Sequence, residues 1–428
     1  MTINKIKPGY LFSTRYTNYI FVLLFLLYMF DYIDRTIVSS MFTFMEKDWG
    51  LTHTQCGLLV SSVYWAIVIL TFPISILVDR WSRRKTISVM AIVWSLATGL
   101  CAFTGTFTQL LLARMLIGVG EAGYAPGGTA MIAGLYPQEK RSQMIGFWNA
   151  SIPLGMALGM ALGGLIASTL GWKHAFGLVA IPGFIVALLF YFIKDYKTVG
   201  LNLPKTERHE EKTTRSAIIN EFLQKPSFIY TSFGLAAVVF VTTALMTWLP
   251  RYLQEAGGLD AKQAGFRGSI VLFLAIIGGP LGGFLTDRWR KHSIRARLLF
   301  PTLTTSISAI LLFVAVNFAS GLSQYIILLI FGISVTAFSS AAIAVTQDVI
   351  HAGLRAVSYS IAVVVQNLLG ASMAPLVVGV LYDRFGIQQA LLILPFSLAV
   401  GALLFFLGSR HYESDFNKVP KIALEAEE

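Results

Sequence analysis

The feature that most constrains this chain is its series of long apolar runs, which are joined by short polar turns. A helix needs about 20 consecutive, mostly apolar residues to cross the hydrocarbon core of a bilayer. Only 13% of the residues are charged, which is about half the share found in a soluble domain. The runs predict an all-α polytopic membrane protein with twelve transmembrane helices, at residues 18–41, 56–78, 86–104, 107–135, 142–170, 174–193, 227–253, 264–286, 297–317, 322–349, 355–381 and 388–408.

The predicted helices form two groups of six, and the halves repeat each other at an offset of 208 residues. Six positions recur without a gap: they are Leu51, Gln55, Gly57, Asp79, Arg80 and Trp81, and their counterparts are Leu259, Gln263, Gly265, Asp287, Arg288 and Trp289. Internal repeats of this kind are typical of transporters with a binding site between the repeats. We predict an N-terminal six-helix bundle at 1–193, a cytoplasmic linker at 194–226, a C-terminal six-helix bundle at 227–408 and a cytoplasmic tail at 409–428.

The basic residues predict which side of the membrane each turn faces, because lysine and arginine are enriched in cytoplasmic loops. With the N-terminus in the cytoplasm, 25 of the 33 lysines and arginines lie in cytoplasmic segments and 6 lie on the opposite side. We therefore expect both termini to be cytoplasmic. The net charge of +11 does not indicate nucleic acid binding, because the basic residues form no aromatic-and-basic stripe.

Residues that could ligate a metal or act in catalysis are not grouped in this sequence. Cys56 and Cys101 lie inside apolar runs and the six histidines lie near loops or tails, so we expect neither a disulfide nor a metal site. A membrane enzyme would need a nucleophile–base pair or metal ligands, and an ATP-driven pump would need a P-loop. We therefore expect no enzyme and no cofactor, and a sensor or receptor without transport remains the alternative class.

Two predicted helices carry charges within their apolar runs, where a charge is costly unless it meets a partner or a cavity. In the first, Asp31, Asp34 and Arg35 have the i, i+3, i+4 spacing that places them on one helical face. In the fourth, Arg114 and Glu121 are seven residues apart, again on one face. We interpret these residues as an ion-coupled binding site, in which a carboxylate takes up a proton and an arginine attracts an anionic group. The alternative is a permanent structural ion pair between the two helices.

The fourth and fifth predicted helices also contain clustered glycines and the prolines Pro126 and Pro153. The glycines allow close helix packing or bending. Each proline removes a backbone hydrogen bond and could bend its helix. The turn at 79–85 is either a topology anchor of positive charge or a latch, since the carboxylate of Asp79 adds nothing to an anchor.

At these residues the chain resembles the major facilitator superfamily over nearly its whole length. The segment ISILVDRWSRRK is similar to the superfamily's cytoplasmic signature between its second and third helices. It differs in having Ser75 and Ser82 where glycines are usual, and in the bulky Val78. The resemblance implies the major facilitator fold and a cytoplasmic gate formed by Asp79, Arg80 and Arg83.

Within the superfamily, the segments DYIDR, ARMLIGVGEAGYAP, EKRSQM and ASIPLG resemble the spinster-like branch. This resemblance implies that Asp34 and Glu121 couple transport to protons, together with Asp31, which stands where the branch usually has asparagine. It also implies that the substrate is bound by Arg35, Arg114 and Tyr124. Spinster-like members export lysophospholipids or sphingoid lipids. A similar pattern occurs in the anion:cation symporters, which import organic anions with protons.

These observations lead us to expect a proton-coupled secondary active transporter that works by alternating access and uses the proton gradient as its energy source. Its substrate is expected to be an anionic or amphipathic organic molecule such as a lysolipid. The alternative is a proton symporter that imports a small organic anion, such as a sugar acid or carboxylate. The C-terminal half is expected to add contacts from Gln366, Asn367 and Trp248. We expect a monomer in the inner (plasma) membrane, with the substrate, protons and the lipid bilayer as its partners and no nucleic acid.

Overall fold

The computed structural model describes residues 11–80, 82–194, 222, 224–350 and 355–419, and the regular structure within these ranges is helical. The helices are α1 (Thr14–Ile37), a short 3-10 helix (Val38–Met41), α2 (Phe42–Trp49), α3 (His53–Arg80), α4 (Arg83–Cys101), α5 (Phe107–Glu121), α6 (Tyr124–Leu135), α7 (Gln138–Asn149), α8 (Ser151–Thr169), α9 (Trp172–Tyr191), α10 (Pro226–Glu255), α11 (Ala261–Arg290), α12 (Ala296–Asn317), α13 (Gly321–Ser334), α14 (Ser339–Asp348), α15 (Arg355–Val365), a π-helical turn (Gln366–Ala371), α16 (Ala374–Phe385), α17 (Ile387–Leu391) and α18 (Ile393–Asn417).

Nine helical stretches of the described chain are long and apolar enough to cross a membrane, and they coincide with nine of the predicted spans. The other three predicted spans, at 18–41, 86–104 and 107–135, are not among these nine stretches. The first corresponds to α1, which carries three buried charges, the second to α4, which begins with a basic turn, and the third is divided between α5 and α6. The prediction of an all-helical membrane fold is confirmed, and the number of twelve spans stays a prediction.

Several predicted spans are interrupted. The predicted fourth span breaks between α5 and α6, because Pro126 has no amide hydrogen to donate to the carbonyl of Ala122 four residues earlier. The predicted fifth span breaks between α7 and α8, where Pro153 leaves the carbonyl of Asn149 without its donor in the same way. Interruptions also separate α13 from α14 and α15 from α16. The helical hydrogen bonding is therefore interrupted near each proline over one or two residues that keep right-handed helical backbone angles, and 143–169 remains one membrane-length helical stretch.

The chain divides into two compact units that do not follow the order of the sequence. Unit 1 comprises Met1–Lys197, Ala244–Phe273 and Ser372–Ala390, and unit 2 comprises Thr198–Thr243, Leu274–Ala371 and Leu391–Glu428. Within the predicted linker and tail, residues 195–221, 223 and 420–428 lie outside the described residues. The division of the sequence at 194–226 thus stays a prediction.

In unit 1, glycines let α8 run directly against α1. A Cβ atom added at Gly159 would lie 2.5 Å from the carbonyl oxygen of Ile33, and one at Gly163 would lie 2.5 Å from that of Ile37. Gly155 meets the backbone of α1 one turn earlier in the same way. Because these glycines have no side chains, the backbone of α8 lies close against the second half of α1. This packing fixes the part of α1 that carries the charged residues.

Candidate functional site

The five charged residues predicted within the membrane come together in unit 1. The second half of α1 carries Asp31, Asp34 and Arg35, and α5 carries Arg114 and Glu121. All five are buried, and the most exposed of them, Arg35, is 8% accessible. The two charged helical faces therefore meet, and we call these five residues the charge cluster.

Arg35 bridges two carboxylates from two helices. Its Nη2 lies 2.9 Å from Oδ2 of Asp31, one turn earlier on α1, and its Nε lies 3.0 Å from Oε2 of Glu121 on α5. Its guanidinium carbon also lies 4.7 Å from the ring centroid of Tyr32 and 5.5 Å from that of Tyr64. A buried arginine held by two carboxylates and two aromatic faces is strongly favoured in its charged form.

Arg114 is held mainly by backbone carbonyls. Its Nη1 donates to the carbonyl of Asp34 at 3.2 Å, and its Nε donates to the carbonyl of Leu59 on α3 at 3.3 Å. The Asp34 carboxylate is farther away, with Oδ2 at 3.8 Å from Nη1. Both carboxylate oxygens of Asp34 lack a hydrogen-bond partner among the described residues. The same holds for the carboxylate oxygens of Asp31 and Glu121, and Asp34 is thus an acidic side chain buried beside a fixed positive charge.

The charge cluster holds three carboxylates and two guanidinium groups. With all five ionised, it carries one excess negative charge, and an uncompensated charge away from water is costly. Binding one proton makes the cluster neutral. The arrangement can therefore exchange a proton for a change in ion pairing, which a single closed arginine–carboxylate pair could not do.

Aromatic side chains lie beside the charge cluster on α1, α6 and α7. Tyr28 stacks on Trp148 with ring centroids 4.3 Å apart, and it contacts Tyr32 and Tyr124 at 5.3 and 5.4 Å. The Tyr124 hydroxyl donates to the carbonyl of Leu24 at 2.8 Å, and the Trp148 indole donates to the same carbonyl at 3.2 Å. Tyr124 is 1% exposed. Its predicted role in substrate binding stays a prediction, and the structure gives its hydroxyl a backbone partner.

The predicted cytoplasmic gate is only partly described. The side chains of Asp79 and Arg80 lie outside the described residues, and Arg83 is half-buried in the first turn of α4. Ser82, which replaces a usual glycine, accepts a hydrogen bond from the Lys85 amide at 3.1 Å and so caps α4. The serine that differs from the signature therefore stabilises the start of α4.

A second charged group was missed by the sequence reasoning. We call it the His53 network, and it consists of Glu46, His53, Arg251, Glu255, Tyr382 and Asp383, all in unit 1. The predicted topology places these residues at the ends of spans on one side of the membrane. This shared location was the one feature of the sequence that could have indicated the network. Their contacts join three distant stretches of sequence, and no local spacing predicts them.

Charged residues buried inside the helices of a membrane protein are typical of transporters. The family model of the Major Facilitator Superfamily matches residues 24–375, which is most of the chain. The chain therefore belongs to this superfamily of multi-pass membrane transporters. The superfamily predicted from the sequence motifs is confirmed.

The chain is also similar to individual members of the superfamily. It is 28% identical to protein spinster homolog 1 of Xenopus laevis over 430 residues, covering 93% of this chain and 82% of the relative. It is 30% identical to the hexuronate transporter of Bacillus subtilis (strain 168) over 282 residues, covering 66% of this chain and 67% of the relative. The predicted resemblance to spinster-like and anion transporters is thus confirmed.

One similar solved structure is that of a bacterial homolog of the human lysosomal transporter spinster, in an inward-facing and unoccupied conformation. The TM-score is 0.83 at 23% sequence identity, and the match covers 94% of this chain and 99% of the solved chain. This similarity supports the major facilitator fold.

Proposed function

We propose that this protein is a proton-coupled secondary active transporter of the spinster type that works by alternating access. The observation that carries the proposal is the charge cluster, in which Arg35 lies between Asp31 and Glu121 at 2.9 and 3.0 Å and Asp34 lies 3.8 Å from Arg114. Because the cluster has one more carboxylate than guanidinium groups, it can bind and release one proton. The energy source is the proton gradient, and no cofactor or catalytic step is part of the proposal.

The coupling step follows from the pairing of Arg35. In the arrangement described, its two contacts with carboxylates leave little capacity for an anionic substrate. A proton on Glu121 removes the charge from one of these contacts, so Arg35 can turn toward the substrate. A proton on Asp34 lowers the negative charge beside Arg114, which stays bonded to the backbone carbonyls of Asp34 and Leu59. Protonation and substrate binding therefore favour each other, which is the requirement for symport through one site.

The finer topology also belongs to the proposal. Twelve transmembrane helices, two cytoplasmic termini and a gate at Asp79, Arg80 and Arg83 agree with the bias of lysine and arginine in the sequence. We place the protein in the inner (plasma) membrane as a monomer that binds protons, lipid and its substrate, with no nucleic acid partner.

The substrate proposed first is an anionic or amphipathic organic molecule such as a lysolipid. The aromatic group around Tyr28 and Trp148 adjoins the charge cluster and suits an apolar portion of such a molecule. The similarity to spinster homologs supports this choice. The second candidate is a proton symporter that imports a small organic anion. It is favoured by the two arginines of the charge cluster and by the similarity to a hexuronate transporter.

Proton flux in reconstituted liposomes tests the proposal. Purified protein is reconstituted around a pH-sensitive dye, and small organic acids and lysolipids are added in turn to wild type, Glu121→Gln and Asp34→Asn. We expect substrate-driven proton influx in wild type and a loss of at least about tenfold in each variant. Glu413→Gln is the matched control, because Glu413 pairs with Arg295 at the surface, where both side chains are about half exposed.

The proton-flux measurements distinguish the two candidate substrates. A response to lysolipids alone supports the first substrate, and a response to organic acids alone supports the second. If both carboxamide variants keep the wild-type rate of proton influx, the charge cluster does not couple transport to protons and the proposed mechanism is wrong.

A further inference from the structure

The His53 network is a second cluster of titratable groups, separate from the charge cluster. It lies where α2 ends, α3 begins and α10 and α16 end. Its members come from the three stretches of sequence that make up unit 1. The network is therefore part of what holds the segments 244–273 and 372–390 to the first 197 residues.

Arg251 on α10 is the centre of one half of the network. Its Nη2 lies 3.0 Å from Oε2 of Glu46 on α2, and its Nε lies 2.9 Å from Oε1 of Glu255. The same Nε donates to the Tyr382 hydroxyl of α16 at 3.0 Å, and that hydroxyl donates to Glu255. Nη1 donates to Oγ1 of Thr43 at 2.9 Å. One guanidinium thus connects three helices through charged and neutral hydrogen bonds.

Asp383 on α16 is the centre of the other half. Its Oδ1 accepts from the backbone amide of His53 at 2.9 Å, and its Oδ2 accepts from the amide and the hydroxyl of Thr54 at 2.8 and 2.5 Å. A carboxylate from another helix therefore caps the N-terminus of α3, where it also meets the positive end of the helix dipole. The His53 ring stacks on Tyr382 with centroids 3.6 Å apart.

The two nitrogens of the His53 ring face the two halves of the network. Nδ1 lies 2.7 Å from Oδ1 of Asp383, and Nε2 lies 3.7 Å from Oε1 of Glu46. A neutral imidazole has one N–H, whereas the protonated ring donates from both nitrogens. Two carboxylates, those of Glu46 and Asp383, face the ring. The network as a whole holds three carboxylates, with Glu255 as the third, against the one guanidinium of Arg251. A proton on the ring reduces this excess of negative charge.

We propose that His53 is a second proton-binding site, and that a proton bound there tightens the contact of α3 with α2 and α16. The His53 side chain is 24% exposed and that of Asp383 is 27% exposed, so protons can reach them from solvent. Imidazole groups in general change charge between about pH 5 and 8. The contact then loosens when the His53 ring loses its proton. This site lies outside the charge cluster, and it extends the protein's pH response beyond the proposed coupling step.

Protonation of Glu46 limits how far the contact of α3 with α2 tightens at acid pH. Its burial raises the pKa of its carboxyl above the usual value, although the Arg251 guanidinium and His53 oppose the rise and Glu255 adds to it. As the pH falls, Glu46 takes up a proton and its pair with Arg251 weakens. The contact is therefore tightest at an intermediate pH. The variant Glu46→Gln removes the loosening at the acid end and leaves the contact of His53 with Asp383.

Cys56 is a natural reporter for this contact. It is fully buried, lies one turn after His53 on α3, and has its Sγ 3.9 Å from Oε1 of Glu46. With Cys101 replaced by serine, the alkylation rate of Cys56 by a small maleimide measures how often this end of α3 opens. The rate is measured from pH 5.5 to 8.5 for the parent and for His53→Gln, in the full-length protein without substrate.

We expect the parent to react about fivefold more slowly than His53→Gln near pH 6, with the ratio approaching one at pH 8.5. The opposite sign would result if a protonated ring acted only on the thiol, because a nearby cation favours the reactive thiolate. His174→Gln is the matched control for replacing a histidine elsewhere in unit 1, and it should follow the parent at every pH.

A ratio that does not change with pH would show that His53 does not bind a functional proton, and a parent that reacts faster than the variant at acid pH would show that a proton bound there does not tighten the contact. Either outcome overturns the proposal. If His53→Gln does not fold, the same question is answered in wild type by hydrogen exchange. The amides of His53 and Thr54 donate to Asp383, so their protection should fall between pH 6 and 8.5 by about fivefold beyond the intrinsic rate change. Constant protection overturns the proposal. Neither measurement involves transport, so a failure here leaves the test of the charge cluster intact.

Discussion

The variant Arg35→Gln tests whether one guanidinium compensates two buried carboxylates. Arg35 lies 2.9 Å from Asp31 and 3.0 Å from Glu121, and none of the three side chains is more than 10% exposed. Removing one partner of a buried ion pair costs about 3–5 kcal/mol, because the remaining charge stays buried without compensation. We expect the free energy of unfolding at pH 8 to fall by that amount.

The loss in the free energy of unfolding of Arg35→Gln should become smaller as the pH falls. A buried carboxylate that has lost its cation is stabilised by binding a proton. The folded variant then binds more protons than the unfolded chain, so its stability rises as the pH falls. The deficit of Arg35→Gln relative to wild type should therefore be smaller at pH 5 than at pH 8.

Unfolding in mixed micelles with increasing dodecyl sulfate, followed by tryptophan fluorescence, measures the deficit. The triple variant Arg35→Gln, Asp31→Asn, Glu121→Gln should recover most of the stability, because no buried charge is left unpaired in this part of the charge cluster. Arg295→Gln is the control, since its pair with Glu413 is exposed and should contribute less than about 1 kcal/mol. An equal deficit at both pH values, together with no recovery in the triple variant, would mean that Arg35 acts by packing and that the charge argument is wrong.

Two further predictions concern stability and use the same unfolding assay. Gly159→Val should lose about 1–3 kcal/mol, because its Cβ would lie 2.5 Å from the carbonyl oxygen of Ile33 and force α8 away from α1; wild-type stability would refute the packing argument. Asp415→Ala should lose about 1–3 kcal/mol, since the Asp415 carboxylate accepts from the amide and hydroxyl of Ser227 at 3.0 and 2.6 Å and both donors are buried. Asp415→Asn keeps an acceptor and should lose less, and an equal loss in both variants would point to a different cause.

The sequence was sufficient for the class of fold and for the members of the charge cluster. Charges within apolar runs are costly in a bilayer, so Asp34 and Glu121 had to meet partners or a cavity. The regular spacing of an α-helix placed each set on one face. The prolines at 126 and 153 indicated lost hydrogen bonds, but whether a helix bends or breaks depends on the packing around it.

Only the tertiary structure decided which charges pair. Both arginines were possible partners for each carboxylate by spacing, and the tertiary structure sets Arg35 against Glu121 and leaves Asp34 at 3.8 Å from Arg114. The same holds for the His53 network, whose contacts span up to 330 residues of sequence. Hydropathy and helical periodicity are local properties of the chain, whereas an ion pair between helices depends on the rotation and the separation that side-chain packing gives them.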